Sequence, residues 1–258
     1  MIDIGANLTN KRFENDIDQV LANALQADVE NIIITGTDIF NSTQALQLCN
    51  RYPFLYSTAG VHPHAASAFD KHSLTCLRYL LDQPQVVAVG ETGLDFNRNF
   101  STKEQQIYAF EQQLELAIET NMPVFLHERE AFETQYRILE PLAKHLKDAV
   151  VHCFTGNQHA LEAYLQLGFY IGITGWICDE RRGQELQSII DIIPNNRLLI
   201  ETDSPYLTPR TLTGKKKKAK NQPANLSHIA QKIGDIRGQT LSEICKMTTD
   251  NSRRLFGF

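Results

Sequence analysis

The chain has 258 residues, 42% of them hydrophobic, with 25 basic against 30 acidic side chains and a net charge of −5. That is enough apolar sequence for a full core, on the scale of one α/β barrel or two small domains. The acidic balance excludes nucleic-acid binding by bulk charge, though not an enzyme with local positive potential, and no apolar run approaches the ~20 residues of a membrane span.

No charged, apolar, small-residue order of a signal peptide opens the sequence. The five cysteines (Cys49, Cys76, Cys153, Cys178, Cys245) are odd in number, widely spaced and without CxxC, which argues for reduced thiols. A soluble cytoplasmic protein with no membrane partner is expected, and a monomer, because no heptad or interface stripe is visible.

Apolar runs of strand length recur at residues 2–4, 32–34, 55–59, 86–89, 124–126, 150–151, 169–173 and 198–200. Most of the intervals between them can hold a helix and two loops. After the first run, Phe13, Ile17, Val20, Leu21, Ala24 and Leu25 form one apolar helical stripe. The third run ends in Gly60-Val61-His62-Pro63-His64, placing two imidazoles at its tip. The fourth leads into Gly90-Glu91-Thr92-Gly93-Leu94-Asp95, with Glu91 at the strand end and Asp95 on the loop beyond. Ile107, Phe110, Leu114, Ala117 and Ile118 make a second helical stripe, opened by Ser101 and Glu104 as a capping box. The fifth run ends in His127, and Arg129, two residues on, shares its face. The sixth ends in His152, with Cys153 turned outward into the core. Asn157 caps a helix carrying Leu161, Tyr164 and Leu165, and Gly168 stops it. The eighth run precedes Asp203, and a basic segment follows: Arg210, Lys215, Lys216, Lys217, Lys218 and Lys220.

Strands that are apolar without alternation, separated by amphipathic helices, indicate a parallel sheet covered by helices. Eight such units predict an α/β fold, a single-domain (β/α)8 TIM barrel over residues 1–258; an open doubly wound sheet is the competitor. Any one of Glu91, His127, His152 and Asp203 has an ordinary reading as a cap, a turn residue or a hydrogen-bonded side chain. All four at the tips of different strands would converge on one rim and hold a divalent cation. An open sheet would spread them too far apart, so the ligands themselves favour closure.

At these positions the chain resembles the TatD family of metal-dependent deoxyribonucleases, a branch of the amidohydrolase-like metal-dependent hydrolases. The matching segments are Gly60 to His64, Gly90 to Phe96, Pro123 to His127, His152 to Gly156, Gly172 to Gly175 and Glu201 to Leu207. The resemblance implies 3′-to-5′ exonuclease action on single-stranded DNA, with RNA as a second substrate, in DNA repair or turnover. It implies Glu91, His127, His152 and Asp203 as metal ligands, with catalytic roles for Asp203, Glu91 and His62. It further implies His62, His64 and Arg129 at the substrate. One departure stands out. Most of the family opens Asp-x-His-x-His, whereas this chain reads Asp3-Ile4-Gly5-Ala6-Asn7. The first metal position then lacks two nitrogen ligands and would rely on Glu91, Asp203, Asn7 and water, which suits Mg²⁺, with Mn²⁺ as a substitute, better than Zn²⁺. The resemblance leaves the second position, with Glu91, His127 and His152, intact. Arg98, Arg181 and Arg182, with the basic segment, are expected along the substrate backbone. The alternatives are an amidohydrolase-like enzyme for a small amide, ester or lactone, and a degenerate barrel that binds nucleic acid without cutting it. The first is weakened because Glu91 stands where some such enzymes carry a lysine.

Overall fold

Strands with no polar alternation must be covered on both faces, and the sheet that results is parallel throughout. A computed structural model describes residues 1–213 and 220–258. Its strands are β1 (Ile2–Ala6), β2 (Asn31–Ile34), β3 (Leu55–Ala59), β4 (Val86–Asp95), β5 (Val124–Arg129), β6 (Ala149–Val151), β7 (Tyr170–Ile173) and β8 (Leu198–Ile200). Each pairs with its neighbour in sequence, in the order β1 to β8. Helices α1 (Ile17–Gln26), α2 (Ile39–Arg51), α3 (Lys71–Leu81), α4 (Lys103–Thr120), α5 (Phe132–Leu139), α6 (Gln158–Gln166), α7 (Gln184–Ile189) and α8 (Leu226–Arg237) follow the successive strands, and α9 (Leu241–Phe256) ends the fold. The arrangement is the TIM-barrel type, not the open sheet.

The seam between β1 and β8 is short. A parallel bridge joins Ala6 to Ser204. Asp203 N–H donates to the Gly5 carbonyl at 2.8 Å and Asn7 N–H to the Ser204 carbonyl at 2.7 Å. Below them the Asp3 carboxylate replaces a ladder rung, accepting Thr202 N–H at 2.8 Å, with the Thr202 hydroxyl 2.6 Å away. Asp3 is fully buried, and burial pushes its carboxyl up to about 8.

Parity along the strands divides the core into two layers. Ile2, Ile4, Ile33, Val87, Phe125, Val150, Tyr170 and Leu199 fill the interior with Leu255 and Phe256 of α9, while Ile32, Val124, Leu126, Val151, Leu198 and Ile200 face the helices. Phe258 stacks on Tyr56 at 4.0 Å between ring centres and joins the interior layer. Continuing the inward parity by two residues gives His127 from Phe125, His152 from Val150 and Glu201 from Leu199. The site is the next layer of the barrel filling.

Some sequence expectations shift by small steps. The box opening α4 uses Thr102 and Gln105, one residue beyond Ser101 and Glu104; either pair satisfies the pattern. Leu25 is 48% exposed, and Phe13 belongs to a separate 3-10 turn before α1. Asn157 caps α6, and Gly168 follows it at φ +84°, as expected. The fourth strand runs longer than its apolar part. Its register shifts between Gly90 and Thr92, then pairs Leu94 with Glu128 and Asp95 with Arg129. Asp95 is therefore the last residue of β4 and not on a loop. Gly90 (φ +141°) and Gly93 (φ +140°) make this possible, because a Cβ there would lie 2.4 Å from the Phe125 carbonyl and 2.0 Å from that of His127.

Candidate metal centre

Glu91 is 5% exposed, and three imidazoles aim at its Oε1: His152 Nε2 at 2.8 Å, His127 Nδ1 at 2.9 Å and His62 Nε2 at 3.4 Å. Donor atoms of His62, Glu91 and His127 all lie within 4.8 Å of one another. Burial opposes a charge on Glu91, but His152, His62 and His127 outweigh it and hold the carboxylate well below its ordinary range. Three nitrogens crowded on one oxygen form a donor set that a small divalent cation suits, because it would turn competing donors into ligands.

The far nitrogens separate the histidines. His152 Nδ1 lies 3.2 Å from Glu201 Oε2. Glu201 is fully buried and also accepts the Cys153 N–H at 2.5 Å. With Nδ1 turned to Glu201, His152 has Nε2 left as the nitrogen that a cation would take in place of its proton. His127 Nε2 lies 3.4 Å from Asp95 Oδ2 and is buried with no hydrogen-bond partner. His62 differs. Its Nδ1 accepts the His64 N–H at 3.0 Å, so the proton of the neutral ring sits on Nε2 and makes His62 a donor toward Glu91. Burial pushes its imidazole down to about 4, against the pull of Glu91. For His152 burial also disfavours the charge, but Glu91 and Glu201 together raise it well above the usual histidine range. His64 Nε2 lies 2.7 Å from Asp95 Oδ2. Asp95 thus serves two rings, and its carboxyl lies well below the ordinary range, its burial outweighed by His127, the Arg98 N–H and His64.

Sequence reading missed Glu201 and Asp95 as partners of the histidines. Glu201 was legible by parity, two residues before Asp203. Asp95 was hidden by the glycine-rich end of β4.

Asp203 adopts φ +51° past the end of β8, and its Oδ1 accepts the Asn7 side-chain N–H at 2.8 Å. Burial and the charges of Glu91 and Glu201 push its carboxyl up to about 7, against His152 and Asn7. The variant opening of the chain has a steric counterpart. A Cβ at Gly5 would lie 2.2 Å from Glu201 Oε2, and one at Gly172 2.5 Å from Oε1. Two glycines make the slot that Glu201 fills.

These groups line a cavity of about 770 Å³ that takes in Glu91, His62, His64, His127, His152, Asp203, Asn7 and Arg129. Arg98, Phe100, Trp176 and Tyr206 also line it; none of the three aromatics was given a role by the sequence, though Tyr206 lies in one of the matching segments. Arg129 Nη1 reaches the Thr155 hydroxyl at 3.2 Å. Cys153 faces this cavity instead of the core, because φ +47° interrupts the strand alternation that parity assumes. Of the basic segment, Arg210 pairs with Glu180 at 2.9 Å and Lys220 with Asp16 at 2.6 Å; Lys215 to Lys218 lie outside the described residues. Among the described residues, no helix is long and apolar enough to cross a membrane.

Residues 2–257 match the family model described as TatD related DNase. The chain is 51% identical to the 3′-5′ ssDNA/RNA exonuclease TatD of Erwinia tasmaniensis, over 99% of each chain. It is 49% identical to the protein of the same description from Escherichia coli K12, over 100% of this chain and 99% of that one. Among solved structures it is similar to YJJV, a TatD homologue from Escherichia coli K12, with a TM-score of 0.90, 30% identity, and coverage of 100% of this chain and 98% of that one.

Proposed function

Because this chain belongs to the TatD-related DNase family and is a hydrolytic nuclease, we propose that it removes nucleotides from the 3′ end of single-stranded DNA and RNA with Mg²⁺ as its cofactor. One observation carries the ligand assignment: His127 and His152 meet at Glu91 Oε1, and each turns its other nitrogen to a separate buried carboxylate. The hydrogen bond to Glu201 fixes His152 in orientation and makes it more basic, the usual support of a metal ligand, while Asp95 acts on His127 from 3.4 Å through its charge.

In this reading Glu91, His127 and His152 hold the cation, with Asp203 at its edge. When bound, the cation would polarise the scissile phosphate and lower the pKa of the attacking water. The carboxylate oxygens of Glu91 and Asp203, completed by water, suit Mg²⁺, and the two imidazole nitrogens admit Mn²⁺ as a substitute. Asp203, held beside the cation position by the Asn7 side chain, accepts the proton of that water. His62 donates its Nε2 proton toward a phosphate oxygen, and the Arg129 guanidinium neutralises charge as it builds on the phosphate. His64, anchored by Asp95, stands beside them at the cavity wall. Loss of the two usual histidines at positions 5 and 7 leaves one well-formed cation position, so catalysis rests on one strongly held ion. All the described cysteines are free thiols, which suits a cytoplasmic role in DNA repair or turnover.

The test is a 5′-labelled single-stranded oligonucleotide incubated with the protein and Mg²⁺ or EDTA. Stepwise shortening that EDTA abolishes is expected. Shortening from the 5′ end, or equal rates in EDTA, would overturn the proposal.

A further inference from the structure

Two smaller cavities of opposite electrostatic character share lining residues with the metal cavity. One, of about 300 Å³, shares Glu128, Arg129 and Thr155 with it and adds Glu130, so its charged lining is two acids and one arginine. The other, of about 200 Å³, shares Trp176 and Leu207 and is lined by Arg181, Arg182, Arg210 and Asp179. A polyanion leaving the metal cavity meets repulsion on the first side and attraction on the second.

We infer that the 5′-ward part of the substrate strand leaves the metal cavity past the Trp176 indole and continues through the groove of Arg181, Arg182 and Arg210. This rests on the nuclease reading and adds the route of the strand. Trp176 is common to both cavities, with the Arg129 guanidinium 5.8 Å and the Arg182 guanidinium 5.0 Å from its ring centre. The indole N–H donates to the Arg182 carbonyl at 3.2 Å and fixes the ring relative to that loop. One arginine in the metal cavity and one in the groove are thus tied to the same ring, at the point where the strand would cross. Asp179, 7% exposed, gathers Arg181, Arg182 and Arg210 at 3.5, 3.7 and 3.8 Å. Glu180 takes Arg210 at 2.9 Å, while Arg181 and Arg182, with only longer contacts to Asp179, leave most of their N–H groups available to phosphate. An indole beside such a track offers a stacking surface for any base, which gives affinity for single strands without sequence preference.

The experiment compares 5′-labelled oligodeoxynucleotides from two to twenty residues long, with Mg²⁺, for the unaltered protein, Trp176→Ala, Trp176→Phe, and Arg181→Ala combined with Arg182→Ala. For the unaltered protein kcat/KM should climb with length. Trp176→Ala should cut that climb about tenfold, the equivalent of one base–aromatic stack, mainly through KM, and Trp176→Phe should restore much of it. The double arginine variant should also flatten the salt dependence of single-strand binding, by about 0.7 per lost phosphate contact. If these variants change all lengths by one common factor, or if Glu130→Gln alters the length dependence while they do not, the strand does not take this route. Absence of metal-dependent shortening by the unaltered protein would overturn the nuclease reading itself. Normal shortening with an unaltered length dependence in the variants would overturn this inference alone.

Discussion

Glu201 and His152 form a buried pair, 3.2 Å apart, in which the carboxylate fixes which imidazole nitrogen faces Glu91. Glu201→Gln removes the charge and keeps the shape. Metal affinity should fall about 10- to 100-fold, as for other carboxylates supporting a ligating histidine, with activity recovering at high Mn²⁺. Calorimetric titration with Mn²⁺ checks this, and an unchanged affinity would remove Glu201 from the metal's support.

Asp203→Asn keeps the contact distance to Asn7 but loses the base. We expect kcat to drop by about 10²- to 10⁴-fold while single-stranded DNA still binds. Single-turnover rates alongside fluorescence anisotropy separate the two effects. A loss confined to KM would assign Asp203 to binding instead.

Gly5→Ala forces a methyl group into the Glu201 carboxylate, 2.2 Å away on the present backbone. Overpacking of this kind costs about 1–3 kcal/mol, and the displaced carboxylate also releases His152. A lower Tm together with weaker metal binding is expected; a stable, fully active variant would show that the slot has room.

Asp3 gives stability a pH dependence of known sign. Its carboxyl titrates at about 8 in the folded chain, against an ordinary value of 3.8. Between those values the folded state holds a proton that the unfolded state has released. The contribution is therefore complete below pH 3.8 and declines as pH rises to about 8, by at most about 1.4 kcal/mol per pH unit. Asp3→Asn copies the protonated form and should reduce the fall of Tm between pH 6 and 8. An identical slope in the variant would place the titration elsewhere.

Phe100 and Tyr206 are 66% and 48% exposed at the wall of the metal cavity. Exposed rings beside a nucleic-acid site are stacking platforms, worth about 1–3 kcal/mol per base. Phe100→Ala and Tyr206→Ala should each raise KM for single-stranded DNA several-fold, with little change in kcat. Steady-state kinetics decide it, and a pure kcat effect would point to a disturbed site.

The barrel and the meeting of Glu91, His127 and His152 at one mouth were legible from the abrupt changes from apolar to coordinating residues. Glu91 and His127 nonetheless lie within β4 and β5, which run on past their apolar parts, and only His152 directly follows its strand. Two kinds of feature were not legible. Asp95 and Glu201 act through histidines on other strands, and no local pattern encodes which carboxylate meets which ring. Cys153 and Asp95 were misplaced because parity holds only while the backbone stays regular; φ +47° at Cys153 and the two glycines of β4 break it. Trp176 was invisible for another reason. It lies in a 3-10 segment, Gly175–Cys178, too short to show any period.

The joining of β8 to β1 has a temporal side. Asn7 and Asp203 are 196 positions apart and touch only once the ring is complete. The contact that positions the proposed base therefore forms only when the last strand of the ring docks against the first, so refolding should return activity no earlier than closure.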